Sequence, residues 1–180
     1  MITRAQLNDA RRKAARMLSR AGIVITPEER RKIEVADFGL GDLANSGLEI
    51  VVYVNVRPYC AKELVLFPRQ TCPQHRHPPA GRAPGKRETF RCRSGEVYLY
   101  VPGKPAARPH ARPPRGRERW YTCRHEIALK PGRQYTIPPN TPHWFRAGSR
   151  GAIVSEFSST SRDDCDIFLD PAISRTTRVR

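Results

Sequence analysis

Four residues of this chain have types and spacings that suit a divalent metal ion: His75, His77, Glu88 and His143. Successive side chains of an extended strand point to opposite faces, so Gln74-His75-Arg76-His77 aims both imidazoles one way and Arg76 the other. Three imidazole nitrogens and one carboxylate oxygen form a donor set that accepts Mn(II), Fe(II), Co(II), Ni(II) or Zn(II). Each residue alone has an ordinary alternative, the histidines as hydrogen-bonded core or surface groups and the glutamate as a solvated charge. His110, in a Pro/Arg-rich loop, and His125, two residues after Cys123, fall outside the pattern and are read as structural.

Bringing these four residues to one point requires strands that close on each other. Aromatic and β-branched residues cluster in short runs at 48–56, 61–67, 96–101, 135–137, 152–157 and 166–169, with further β-like runs at 88–92 and 143–145. Ser94-Gly95 and Pro131-Gly132 read as turns between them. The pattern predicts a mainly β protein, an antiparallel barrel or double sheet. Before it, Leu7, Ala10, Ala14, Met17, Leu18 and Ala21 recur at helical spacing after Thr3-x-x-Gln6, a capping box, and Gly22 is a stop. Thr26-Pro27-Glu28-Glu29 marks a second helix start. The expected organisation is a helical segment over 1–34 packed on or against a barrel over 35–173, with a basic tail over 174–180.

The turn residues around the ligands narrow the fold. His75-x-His77 and Glu88 are followed by six residues and Gly95, and Gly132 by five residues, Pro138-Pro139-Asn140, two residues and His143. These two motifs resemble those of the cupin superfamily, which implies a double-stranded β-helix, or jelly-roll barrel, with a bound metal. Arg69, Asn140 and Ala147 depart from the pattern; the two glycines replaced are turn positions rather than ligands, so turn geometry is affected and metal binding is not. Residues 78–87 read as a loop inserted at the barrel mouth.

Composition restricts the partners. The chain carries 33 Lys and Arg against 17 Asp and Glu, a net charge of +16. Arginine dominates the basic residues in a chain also rich in Ala and Pro, and no zinc finger, helix-turn-helix or aromatic-rich strand motif accompanies them, so no nucleic-acid partner is expected. Cys60, Cys72, Cys92, Cys123 and Cys165 are odd in number without a C-x-x-C pair, as in reduced thiols of a cytoplasmic protein. Cys72, next to the ligand pair, reads as a buried thiol rather than a soft ligand. No apolar run suits a signal peptide or a membrane span, so no membrane partner is expected.

Longer phrases carry a more specific resemblance. Tyr59 to Pro68, Thr71 to Pro78, Gly85 to Cys92, Pro138 to Phe145, Ser155 to Ser158 and Asp163 to Pro171 are similar to the D-lyxose ketol-isomerase family, over roughly residues 35 to 173. The resemblance implies a manganese-dependent isomerase that interconverts D-lyxose and D-xylulose, and also D-mannose and D-fructose, as a cytoplasmic homodimer. Such a reaction moves a proton between C1 and C2 of an open-chain sugar through a cis-enediol. It needs a Lewis acid on O1 and O2, a base, and donors for the sugar oxygens.

Glu156 is the expected base. In Ile153 to Ser158 it alternates with the opposite strand face and can project into the lumen, its alternative being a surface or Arg-paired glutamate. The family's phrase makes Asp166 a second, substrate-facing carboxylate, with a helix-cap or turn role as its rival. Lys62, on a strand face with Leu64 and Leu66, and Lys86, two residues before Glu88, are expected to bind sugar hydroxyls or to form salt bridges. A cupin dioxygenase or decarboxylase with the same three-His, one-Glu site is the alternative enzyme, and a non-catalytic sugar-binding cupin the alternative module.

Overall fold

Residues 1–180 are described by a computed structural model. Two helices, α1 (Arg4–Arg20) and α2 (Pro27–Lys32), precede nine strands. These are β1 (Glu34–Ala36), β2 (Leu48–Val56), β3 (Tyr59–Leu66), β4 (Thr71–Arg76), β5 (Glu88–Val101), β6 (His125–Leu129), β7 (Gln134–Ile137), β8 (His143–Ser159) and β9 (Ile167–Phe168).

The long antiparallel ladder between β5 and β8 organises the molecule, running from Glu88 opposite Ser158 to Tyr100 opposite Trp144. On its other edge β8 pairs with β3 along Ala152 to Ser159 and with β4 between His143 and Arg146. β5 likewise pairs with β7 along Glu88 to Arg91 and with β6 along Val97 to Val101. One curled antiparallel sheet therefore has two halves joined through β5 and β8. Between them lies a buried core that includes Leu64, Leu66 and Phe90 from one half and Leu99 and Phe145 from the other.

The sequence predicts separate strands at 88–92 and 96–101 with a turn at Ser94-Gly95; the structure runs one strand through both. Gly95 and Gly151 have φ of 71° and 78°, which bends β5 and β8 at facing positions without ending their pairing. A Cβ on Gly95 would lie 2.0 Å from the Gly151 carbonyl oxygen, so this crossing admits no side chain. The runs expected at 143–145 and 152–157 are likewise both parts of β8. Arg69 and Asn140, the two replaced turn glycines, keep left-handed φ values of 60° and 56°. Asn140 is also fixed by Arg76, which donates to its Oδ1 at 2.6 Å.

α1 begins with the Thr3/Gln6 capping box and α2 with its own, Thr26/Glu29. Ala14, Ala15 and Leu18 of α1 pack on Val51, Val65 and Ile153, covering the outer face of β2, β3 and β8. Leu18 is fully buried, and its truncation to alanine would cost about 2 to 5 kcal/mol.

Residues 174–180, expected as a basic tail, instead fold back onto the molecule. Arg178 and Arg180 accept backbone hydrogen bonds from Ile2 and Arg4, and Thr177 Oγ1 accepts one from Asp37. Arg175 ion-pairs with Glu34 and lies 3.3 Å from Asp163, so its acidic partners hold the end of the chain against the sheet.

Candidate active site

β4 and β8 place His75 directly opposite His143, and His77 follows the last residue of β4. The Nδ1 of His75 lies 2.8 Å from the Pro73 carbonyl oxygen and that of His143 lies 3.0 Å from the Thr141 carbonyl oxygen. A carbonyl only accepts, so each Nδ1 carries the proton and each Nε2 presents a lone pair. His77 uses Nδ1 to bond the Asp166 carboxylate. The ligand atoms of the three imidazoles lie within 4.8 Å of one another.

Glu88, the first residue of β5, completes the set: its Oε2 is 3.2 Å from Nε2 of His77 and 3.2 Å from Nε2 of His143. These contacts lack hydrogen-bond geometry, and all three atoms are buried without a hydrogen-bond partner. Leaving buried polar atoms unpaired is costly. A cation bound at about 2.1 Å by each donor would hold neighbouring donors about 3.0 to 3.4 Å apart. The residues therefore fit a divalent ion, with His75, His77, Glu88 and His143 to hold it.

Electrostatics act differently on these donors. Burial, helped by the neighbouring His143 and His77, pushes the His75 pKa well below its usual value and keeps the ring neutral. Burial opposes ionisation of Glu88, but Lys86 and His77 overcome it and hold the carboxyl well below the usual range. For His77 burial also works against charge, yet Glu88 and Asp166 push its pKa up to about 9.

Beside the ligands lies a network of opposite charges. Lys86 Nζ is 2.6 Å from Oε1 of Glu88 and 2.6 Å from Oε1 of Glu156. Desolvation would discharge Lys86, but Glu156, Glu88 and Asp163 keep its pKa well above the ordinary lysine value. Glu156 stands opposite Lys62 on β3 and Phe90 on β5, which sets it on the inner face; Ser158 donates to its Oε1 at 3.0 Å. The neighbouring pair Glu63 and Ser155 bond each other at 2.7 Å, as alternation requires of the opposite face. Lys62 Nζ donates to Ser161 Oγ at 2.9 Å and ion-pairs with Asp163 at 2.6 Å.

His75, His77, Glu88, Lys62, Lys86, Glu156 and Asp166 all line one pocket, and His143 is packed against its histidines. Two further pocket residues were not singled out from the sequence: Asp163, which joins Lys62 to Arg175, and Arg175 itself. The run Asp163-Asp164-Cys165-Asp166 offers three acids with nothing local to choose among them, and Arg175 is one arginine among many. Cys72 also lines the pocket, where burial raises its thiol pKa well above the ordinary value. His110 and His125 lie elsewhere, bonded to Glu126 and to the Lys104 carbonyl.

The chain as a whole has counterparts among known proteins. A protein of Thermosediminibacter oceani named D-lyxose/D-mannose isomerase is 60% identical over 179 residues, covering 99% of both chains. The D-lyxose ketol-isomerase of a Thermofilum species is 63% identical over 179 residues with the same coverage. That of Cohnella laeviribosi is 62% identical over 167 residues, 93% of this chain and 92% of that one. The chain belongs to the D-lyxose ketol-isomerase family. No protein-family model matches it. Among solved structures, the L-ribose isomerase of an Acinetobacter species superposes with a TM-score of 0.81 at 18% identity, covering 99% of this chain and 98% of that one. The Cellulomonas parahominis L-ribose isomerase gives 0.81 at 17% identity with the same coverage. At such identities the likeness shows the fold alone: this chain shares its curled sheet with proteins of very different sequence. No helix is long and apolar enough to cross a membrane.

Proposed function

We propose that the protein is a metal-dependent aldose–ketose isomerase that interconverts D-lyxose and D-xylulose, and also D-mannose and D-fructose, by a cis-enediol mechanism. The observation that carries this reading is the contact of Lys86 with Glu88 on one side and Glu156 on the other. Three charged groups, Glu88, Lys86 and Glu156, thus stand side by side in one pocket, which supports a metal donor next to a base.

His75, His77, Glu88 and His143 would hold the ion; the family resemblance favours Mn(II), and the same donors accept Fe(II), Co(II), Ni(II) or Zn(II). A bound ion supplies Lewis acidity that favours charge on the sugar's O1 and O2. Glu156 takes the C2 proton on its carboxylate and returns it to C1. Its Oε1 is occupied by Lys86 and Ser158, which leaves Oε2 for the sugar. The Lys86 ammonium, kept charged by its acids, stabilises negative charge developing on the enediol oxygens. Lys62 binds a sugar hydroxyl from the opposite strand. Asp166 holds the ring of His77 in place, an orienting role beside the substrate-facing one expected for it.

The two halves of the sheet support a cupin double-stranded β-helix, and residues 35–173 read as its barrel. Oxygen uptake during turnover would favour the dioxygenase alternative. Val52, Tyr53, Val56, Tyr59 and Phe157 are large apolar side chains exposed on β2, β3 and β8, which supports a homodimer; sedimentation of the purified protein tests it. The five cysteines are free, in keeping with a cytoplasmic enzyme.

The deciding experiment is isomerisation of D-lyxose by metal-stripped protein, with and without added Mn(II), in the absence of oxygen. Turnover restored by Mn(II) is expected. Continued inactivity with the metal demonstrably bound would refute this substrate.

A further inference from the structure

Outside the pocket that contains Glu156 lies a second cavity of about 490 Å³, built from three separate segments. His77 and Lys86 line both, so the two chambers adjoin. The outer walls come from the turn between β2 and β3, from the loop over 78–87, and from the end of β8 and the segment after it, over 159–165.

The two chambers differ in charge. The inner one sets Lys62, Lys86 and Arg175 against Glu88, Glu156, Asp163 and Asp166. The outer one carries Arg57, Arg82, Arg162 and Lys86, and no Asp or Glu lines it. Lys86 and Arg175 are ion-paired to acids, whereas the guanidinium groups of Arg57, Arg82 and Arg162 are left to solvent. Arg82 is presented by a tight reversal in which Ala80 and Ala83 exchange backbone hydrogen bonds of 3.0 and 3.1 Å. Gly85, with φ of 104°, then turns the chain back where a Cβ would meet the His77 carbonyl oxygen at 2.5 Å. The three arginines thus line one cavity from three separate parts of the chain.

Like charges gathered around one concavity repel each other unless an anion joins them, and forked guanidinium donors match the oxygens of a phosphoryl group. A neutral sugar would gain nothing from such a wall. We infer that the outer chamber binds a phosphoryl anion, held by Arg57, Arg82 and Arg162 next to the sugar pocket. The anion is either inorganic phosphate or the phosphate of a phosphorylated sugar. In the latter case the carbohydrate end lies toward His77 and Lys86, and that part rests on the isomerase reading above.

The test is calorimetric titration of the metal-loaded full chain with inorganic phosphate, D-mannose 6-phosphate and D-mannose, repeated on the Arg82→Ala/Arg162→Ala double variant. We expect phosphoryl binding to weaken about tenfold in the variant, and to weaken in the parent as salt is raised. Isomerisation of neutral D-lyxose should stay within about twofold, because neither arginine touches the inner pocket. D-mannose 6-phosphate binding more tightly than both inorganic phosphate and D-mannose identifies a phosphorylated sugar; equal binding of both phosphates identifies the free anion. Absence of phosphate binding, or binding equally strong in the double variant as expected of phosphate resting on the metal, overturns the inference. Failure of the isomerase reading would show separately, as lack of D-lyxose turnover by the parent protein.

Discussion

Lys86 is shared between Glu156 and Glu88, at 2.6 Å from each. One ammonium therefore couples the carboxylate that would bind the metal to the carboxylate that would move the proton. Replacing Glu156 by Gln keeps the shape and a hydrogen-bond acceptor but removes the base. We expect kcat to fall about 10²- to 10⁴-fold while Mn(II) affinity is unchanged. Turnover retained in Glu156→Gln would remove this residue from the proton path.

Asp166 lines the pocket and bonds His77 Nδ1 through one oxygen. Asn in its place can still meet Nδ1 but without charge to orient and strengthen the ring as a donor. Metal affinity should fall about 10- to 100-fold, with kcat largely recovered at saturating Mn(II). A kcat that stays low when the site is saturated would give Asp166 a direct part in proton transfer.

Asp163 joins Lys62, Arg175 and Ser161 across the pocket. Burial disfavours its charge, but Lys62 and Lys86 outweigh that and hold its carboxyl below the usual aspartate range. Asp163→Asn should release Lys62 from its position and raise KM for the sugar about tenfold, with kcat changed much less. An equal fall in kcat, measured by steady-state kinetics, would instead place Asp163 among the reacting groups.

Glu49 gives the fold a pH dependence of its own, away from the site. It is fully buried on β2 with one oxygen unpartnered, and burial pushes its pKa up to about 8 despite an opposing hydrogen bond from Gln70. A carboxyl raised on folding contributes its full stability below the unfolded value of 4.5 and loses it as pH rises through about 8. Stability should therefore decline across that window, by up to about 5 kcal/mol from this group. Glu49→Gln should flatten the decline and be the more stable protein above the window, as read by denaturant unfolding at several pH values. An unchanged pH profile would show that Glu49 stays charged in the fold.

What the sequence discloses here depends on distance along the chain. The H-x-H pair is legible because period-two alternation is local, and both helix starts are legible because a cap and its partner are three residues apart. The continuity of β5 is not, since a glycine with positive φ serves a turn and a bulge equally, and only the opposing Gly151 decides between them. Asp166 was found but its contact was not, because His77 lies 89 positions earlier. Arg175 was invisible for the same reason: its value comes from Glu34 and Asp163, at opposite ends of the chain.

The bend at Gly95 and Gly151 bears on how the molecule is made. Because β5 and β8 curl there, Glu88 and His143, which stand at opposite ends of their shared ladder, come within 3.2 Å. No hairpin or run of neighbouring strands owns the centre; it exists only after the last long strand has zipped along the earlier ones and doubled over. An ion that needs all four donors would therefore be loaded only once β8 is in place, and by bridging the two ends of the ladder it would act as a clasp that must open before the strands can peel apart.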